Sequence, residues 1–289
     1  MSRLFEALQR SESEKSGAPF FQPPVAATEL LEVAEKERND FREFKSLHVS
    51  LAPDNRLVCL TAKESLGAEK FRFLAVRLRQ IQQTRALKRI LVTSTLAEEG
   101  KSLVSANLAM TLARRHWQKT LLIEGDLRRP VQAQMFGLRK LPGITEWLSD
   151  GVGPITSIFR LEEAGLWILP AGTPPANPLE LMQSRRLGAL LDDLSGLFDW
   201  IVIDSPPLLP LADTSVWSRR SDGVVLVVRE GKSEKRQLKA GLEALGTSNL
   251  LGVVLNGCSS TDHRNYYQRY CKAAPPSEGG NGDASRNPA

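Results

Sequence analysis

The chain has 289 residues, 42% of them apolar and 25% charged, with a net charge of +5. That is the balance of a globular protein of one large domain plus extensions, and its mild, scattered charge makes no demand for nucleic acid. Three distant cysteines without metal or redox spacing point to a reducing cytoplasm, and no apolar run approaches the roughly 18 residues that would span a bilayer.

Residues 1–60 read as an N-terminal extension. Leu4, Phe5 and Leu8 share one face of a short helix opening at Ser2, either a docking helix or an end packed on its own domain. Ser11–Pro24 is a polar, then Pro-rich linker, and Glu29–Glu43 is charged and helical. Phe44–Leu51 and Arg56–Leu60 are expected as strands at a sheet edge. Ser65–Thr84 reads as a helix carrying Arg72, Arg77 and Arg79. Arg89–Thr93 is a buried strand, and Leu103–Arg115 is a helix with Val104, Leu108 and Leu112 on its apolar stripe.

Between these two lies Thr95-Leu-Ala-Glu-Glu-Gly-Lys-Ser102. Gly100, Lys101 and Ser102 match the core of a phosphate-binding loop, with Thr95 where the strong form of the motif has glycine. Such a loop wraps a phosphate in backbone N–H groups, and the helix behind it presents its positive end. Thr95, Glu98, Glu99 and Leu103 fall on the same stretch and are candidate nucleotide-binding positions with it. Lys101 would reach the outer phosphates, and the Ser102 hydroxyl would ligate Mg²⁺.

Lys119–Glu124 is the next strand. Glu124 and Asp126 follow at i and i+2, which places both carboxylates on one side. Gly143–Leu148 is a turn and short helix, Leu166–Leu169 a strand, and Leu179–Leu197 one long helix. Phe198–Ile203 is a strand closed by Asp204, a Walker B pattern in which the carboxylate holds Mg²⁺. Leu211–Arg220 and Ser233–Leu245 are helical, and Gly223–Arg229 and Leu251–Asn256 are strands. Alternating strands and helices predict an α/β fold, a mostly parallel sheet covered by helices on both faces. Residues 61–258 form this domain. Residues 259–289 read as a flexible tail rich in Gly, Pro, Ser, Asn and Ala. All three tyrosines of the chain, Tyr266, Tyr267 and Tyr270, lie in it.

Taken together these features resemble the bacterial tyrosine kinases of capsule and exopolysaccharide production, whose fold is that of the ParA/MinD group of P-loop ATPases. The resemblance rests on five stretches in order: Glu69-Lys-Phe-Arg72, Val92 through Ser102, Leu121 through Pro130, Leu169 through Pro178, and Phe198 through Pro207. The opening Met1-Ser-Arg-Leu-Phe-Glu-Ala-Leu8 is similar to exopolysaccharide-linked members. The resemblance implies ATP and Mg²⁺ as cofactors. It implies autophosphorylation of Tyr266, Tyr267 and Tyr270 in trans, self-association involving Glu69 and Arg72, and a partner in the cytoplasmic segment of a membrane polysaccharide co-polymerase. The kinase would be cytoplasmic and recruited to the inner face of the membrane.

In this reading Ser102, Asp126 and Asp204 hold the metal, and Asp126 orients and deprotonates the tyrosine. Glu124 supports the metal shell, and Arg128 steadies the acids or forms a structural salt bridge. Asp213 is read as a helix cap or core partner. The chain departs from the family's pattern at Glu124, where the family has Asp, at Ala97 and Glu98, where it has Pro and Gly, and at Ala75, where an arginine is expected. The rival readings are a ParA/MinD-like switch ATPase, whose signature lysine would stand at Leu96, and a nucleotide-binding adaptor of an export complex.

Overall fold

The computed structural model describes residues 44–51, 55–115, 117–150, 156–209, 211–246 and 249–258. The N-terminal docking helix, the linker and Tyr266, Tyr267 and Tyr270 lie outside the described residues. The chain divides into two units, 1–45 and 46–289, and the described residues belong to the second apart from Phe44 and Lys45.

The elements run β1 (Lys45–Leu47), α1 (Val58–Thr61), α2 (Leu66–Thr84), β2 (Arg89–Ser94), α3 (Lys101–Ala113), β3 (Thr120–Glu124), α4 (Gln132–Met135) and α5 (Ile144–Asp150). They continue with β4 (Phe159–Leu161), β5 (Leu166–Leu169), α6 (Pro178–Gln183), α7 (Arg185–Leu197), β6 (Trp200–Asp204), α8 (Asp213–Ser218), β7 (Gly223–Arg229), α9 (Lys235–Leu245) and β8 (Leu250–Asn256). The eight strands make one sheet in the order β1-β4-β5-β3-β6-β2-β7-β8. From β5 to β8 every pairing is parallel, and β4 runs antiparallel to β5. This is the predicted α/β sheet.

The apolar runs account for its centre. Every residue of β3 and β6 is buried, as are the last five of β2. Strands so placed need cover on both faces, which is why their sequences do not alternate. Helix α3 is buried along Val104–Ala113 and packs over the sheet beneath α2. Full burial of a leucine such as Leu108 or Leu112 is worth roughly 2 kcal/mol, so this helix anchors the fold.

Two expectations need correction. Arg56–Leu60 is not a strand: its residues enter helix α1, because the Asn107 side chain on α3 takes the Cys59 N–H and approaches the Arg56 carbonyl. The long helix expected over Leu179–Leu197 is two helices, broken at Ser184, whose ψ of 147° is extended. Strand β4 and helix α4 carried no periodicity long enough to read.

The order of strands matters for function. Strand β6 inserts between β2 and β3, so the chain leaves neighbouring strand ends in different directions. In open parallel sheets a ligand crevice forms outside such carboxyl ends.

Candidate active site

The carboxyl ends of β2 and β3 deliver the phosphate loop and Asp126 to one cavity of about 1130 Å³, while Asp204, at the end of β6, is fully buried outside its lining and within reach of Lys101 and Ser102. Gly100, Lys101, Ser102, Leu103, Asp126, Arg128 and Arg129 line it. Gly100 caps α3 in the left-handed region, with φ of 96°. A side chain there would also run into the Asn256 amide, so both backbone and space require glycine.

The loop's acidic side chains are paired with protein groups, although Glu98 also lines the cavity. Glu99 is fully buried. Its carboxylate accepts from the Leu96 N–H at 2.7 Å, the Arg229 N–H at 3.3 Å and the Ser233 hydroxyl. Asn256, at the end of β8, donates to the Glu99 carbonyl at 2.8 Å. Glu98 takes the left-handed conformation, φ 64°, and its side chain, 81% exposed, meets Lys232 at 2.8 Å. The Lys232 hydrogen bond and charge hold its carboxyl below the usual range. Positive φ is the conformation in which glycine costs least, which gives a physical reason for the glycine of the family pattern. Thr95 is buried, and its side chain packs beside Gly241 of α9. Of the positions expected to bind nucleotide, Glu99 and Thr95 are buried with side chains that pack within the protein, and Glu98 lines the cavity while paired with Lys232.

The strand ends are arranged differently. Asp126, nearly buried, accepts from the Arg129 N–H through Oδ1 and places Oδ2 3.4 Å from the Lys101 ammonium. Asp204 is fully buried. Its Oδ2 accepts from Gln132 Nε2 at 2.8 Å, while Oδ1 has no hydrogen-bond partner. Burial pushes its carboxyl up to about 6, against the pull of Lys101, Gln132 and Ser102. A buried acceptor left unpartnered is costly, and a cation beside it removes the cost. The donor set fits Mg²⁺ with a nucleotide: a serine hydroxyl, a carboxylate oxygen to spare and a lysine among backbone amides.

Glu124 does not share Asp126's surroundings. Its two oxygens accept from the N–H groups of Gln132 and Ala171, and burial pushes its carboxyl up. The expected pair of like-facing carboxylates diverges onto separate partners, because Glu124 ends the strand and Gly125 breaks the alternation. Gly125 lies against the Asp204 carbonyl and the Trp217 ring, which leaves no room for a side chain. Glu124 thus ties the segment after β3 to the segment after β5 instead of lining the metal site. Arg128 forms a two-pronged ion pair with Asp213, at 2.6 and 3.2 Å. That is the salt-bridge alternative, and it makes Asp213 a core partner. Gln132, Asn256 and Trp217 carry structural duties here that no motif announced.

On α2, Glu69 and Arg72 pair with each other at 2.5 Å, and Arg72 also reaches the Lys63 carbonyl. Ala75 is fully buried, so the position has no space for an arginine pointing outward.

No family model matches the chain. A tyrosine-protein kinase of Bacillus subtilis, YwqD, is 34% identical over 212 residues, covering 73% of this chain and 89% of that protein. The chain belongs to the bacterial tyrosine-protein kinases. Within this family, the solved chimerical protein CapA2B2 matches 78% of the chain and 99% of its own, at 30% identity and a TM-score of 0.67. The Mg-ADP complex of the septum site-determining protein MinD from Pyrococcus horikoshii is 22% identical, with a TM-score of 0.50, and covers 63% of this chain and 77% of its own. That likeness shows a shared fold alone. Among the described residues of this kinase, no helix is long and apolar enough to cross a membrane.

Proposed function

We propose that this chain uses ATP and Mg²⁺ to phosphorylate tyrosines of its own tail, Tyr266, Tyr267 and Tyr270, one copy acting on another. The observation that carries the reading is the meeting of Lys101, Ser102 and Asp126 at one cavity, with Asp204 buried beside Lys101 and Ser102 and keeping an unpartnered oxygen. The P-loop MinD structure solved with Mg-ADP is of the same fold, which supports the choice of nucleotide and ion.

Phosphoryl transfer asks for positioning and charge compensation more than for covalent chemistry. Loop amides up to Gly100 and the start of α3 present donors to a polyphosphate. Lys101 exchanges Asp126 for phosphate oxygens as the nucleotide enters. The Arg128–Asp213 ion pair and the Arg129 N–H keep the Asp126 segment in place. A tyrosine hydroxyl, with a free pKa near ~10, needs a proton acceptor at neutral pH. Asp126 Oδ2 faces the cavity for this purpose. Bound Mg²⁺ would neutralise charge developing on the transferred group. Leu96 stands where a switch ATPase carries its second lysine, so the loop offers one cation, Lys101, and the acceptor is tyrosine and not water.

In this reading Glu69 and Arg72 serve contact between copies. The partner is the cytoplasmic segment of a membrane polysaccharide co-polymerase, at the inner face of the membrane, and the output is control of exopolysaccharide or capsule synthesis and export. The test of trans transfer mixes a full-length Lys101→Met chain with an active chain ending at Ser260. Phosphotyrosine on the full-length chain is the expected result, and its absence while the full-length active chain labels itself would refute transfer between copies.

A further inference from the structure

One buried side chain touches both Ser102 and Asp204 and belongs to no motif. Gln132, the first residue of α4, is fully buried. Its Nε2 donates to the Ser102 carbonyl at 2.9 Å, the Ser105 hydroxyl at 3.1 Å and Asp204 Oδ2 at 2.8 Å. All three are oxygens that accept, so the amide's orientation is fixed: nitrogen toward them, carbonyl oxygen away. That carbonyl oxygen, Oε1, is buried and unpartnered, as is Asp204 Oδ1. The backbone N–H of the same residue is held by Glu124.

We propose that Gln132 is a positioning residue for the magnesium site, gripping one oxygen of Asp204 and the Ser102 backbone through Nε2 so that Asp204 Oδ1 is left for the ion and its water shell. The inference rests on the reading of Ser102 and Asp204 as the metal-holding pair. It explains two facts together. Asp204 Oδ1 remains unpartnered in a buried cluster whose Oδ2 is held by Gln132, as expected of a site completed by a hydrated cation. And Glu124, whose longer arm replaces the family's Asp, has a definite task. It spans to the Gln132 N–H and sets the place from which the Gln132 side chain reaches Asp204. An acid at Glu124 supports the metal only through Gln132.

The experiment measures the affinity of the full chain for a fluorescent ADP analogue against magnesium concentration, with no turnover required. For the unaltered chain, magnesium is expected to tighten binding. Gln132→Met keeps the volume and removes the amide; the magnesium midpoint is expected to rise about tenfold, the size typical of losing a group that orients a metal ligand. Gln132→Glu keeps the shape and places a second carboxylate beside Asp204, so its midpoint is expected to fall. Ser105→Ala removes one bond of the same amide without touching Asp204 and should leave the midpoint unchanged.

An equal rise in the Met, Glu and Ala variants would overturn the proposal, because that pattern is loss of packing. A magnesium-dependent parent with an unmoved Gln132→Met midpoint would overturn the role of Gln132 and leave the site standing. A parent whose nucleotide affinity ignores magnesium would overturn the reading of the site itself. If the Met variant does not fold, the sign of the Glu variant's shift decides.

Discussion

The phosphate loop and the strand ends opposite it both carry acids, and they handle them in opposite ways. In the loop, Glu98 and Glu99 are turned outward or backward and paired, to Lys232, Leu96, Ser233 and Arg229. Lys101 and Ser102 line the cavity, and Glu98 lines it with its charge met by Lys232. At the strand ends, Asp126 and Asp204 are buried, Asp126 paired with Lys101 and Asp204 with one oxygen unpartnered. A site for a polyphosphate and a cation needs this division: negative charge kept off the anion's cradle and gathered where the metal sits. The same division sorts the chain's departures from its family. Glu98 and Glu124 both hold structure, while the four groups that would meet the ligand are unaltered.

Breaking the cavity side should have the largest effect. Lys101→Met is expected to lower tail phosphorylation by about 10²-fold or more, the cost of removing one positioned donor from a transferring group, read by phosphotyrosine quantification. Asp126→Asn should lower it by about 10²–10⁴-fold, because the group that accepts the tyrosine proton is lost.

Asp204 sharpens the comparison through stability. Its carboxyl stands at about 6 in the fold against 3.8 unperturbed, so the folded state resists its ionisation. The protonated form favours folding below about pH 4, and that advantage is lost as pH rises through 6. Above this the charge costs on the order of 3 kcal/mol. Asp204→Asn is therefore expected to raise the Tm of the ligand-free chain at pH 8, with the gain vanishing near pH 4, although activity is lost. A gain that is independent of pH would show that burial is not the cause.

On the loop side, effects should shrink. Glu99→Ala leaves the Leu96 N–H and the Ser233 hydroxyl without their acceptor, at a cost of about 1–3 kcal/mol by denaturant unfolding. Glu98→Gly exchanges an exposed ion pair for a relaxed left-handed residue and should keep nucleotide affinity within about twofold. A large loss there would mean that Glu98 touches the ligand after all.

The sequence made the fold readable where burial was continuous. Strands β3, β6 and β7 are apolar runs ended by a charge, β2 is an apolar run ended by Thr93 and Ser94, and each lies within a residue or two of its expected place. Lys101, Ser102, Asp126 and Asp204 were legible because strand-end chemistry follows from strand position. The divergence of Glu124 from Asp126 was not, since it depends on Gly125 meeting Trp217, a residue distant in sequence. Gln132 and Asn256 were not legible either. A buried amide has no periodicity, and its partners sit on other elements. Glu98 shows the reverse case. It looked like an added charge at the phosphate, and a positive φ turned it toward Lys232.

The central claim is that the acceptor is tyrosine. Phosphopeptide mass spectrometry of the full chain, incubated with and without Mg-ATP, tests it most directly. Phosphate on Tyr266, Tyr267 or Tyr270 that requires Mg-ATP and disappears with Lys101→Met is the predicted result. ATP hydrolysis with all three tyrosines unmodified would contradict the account and make water the acceptor.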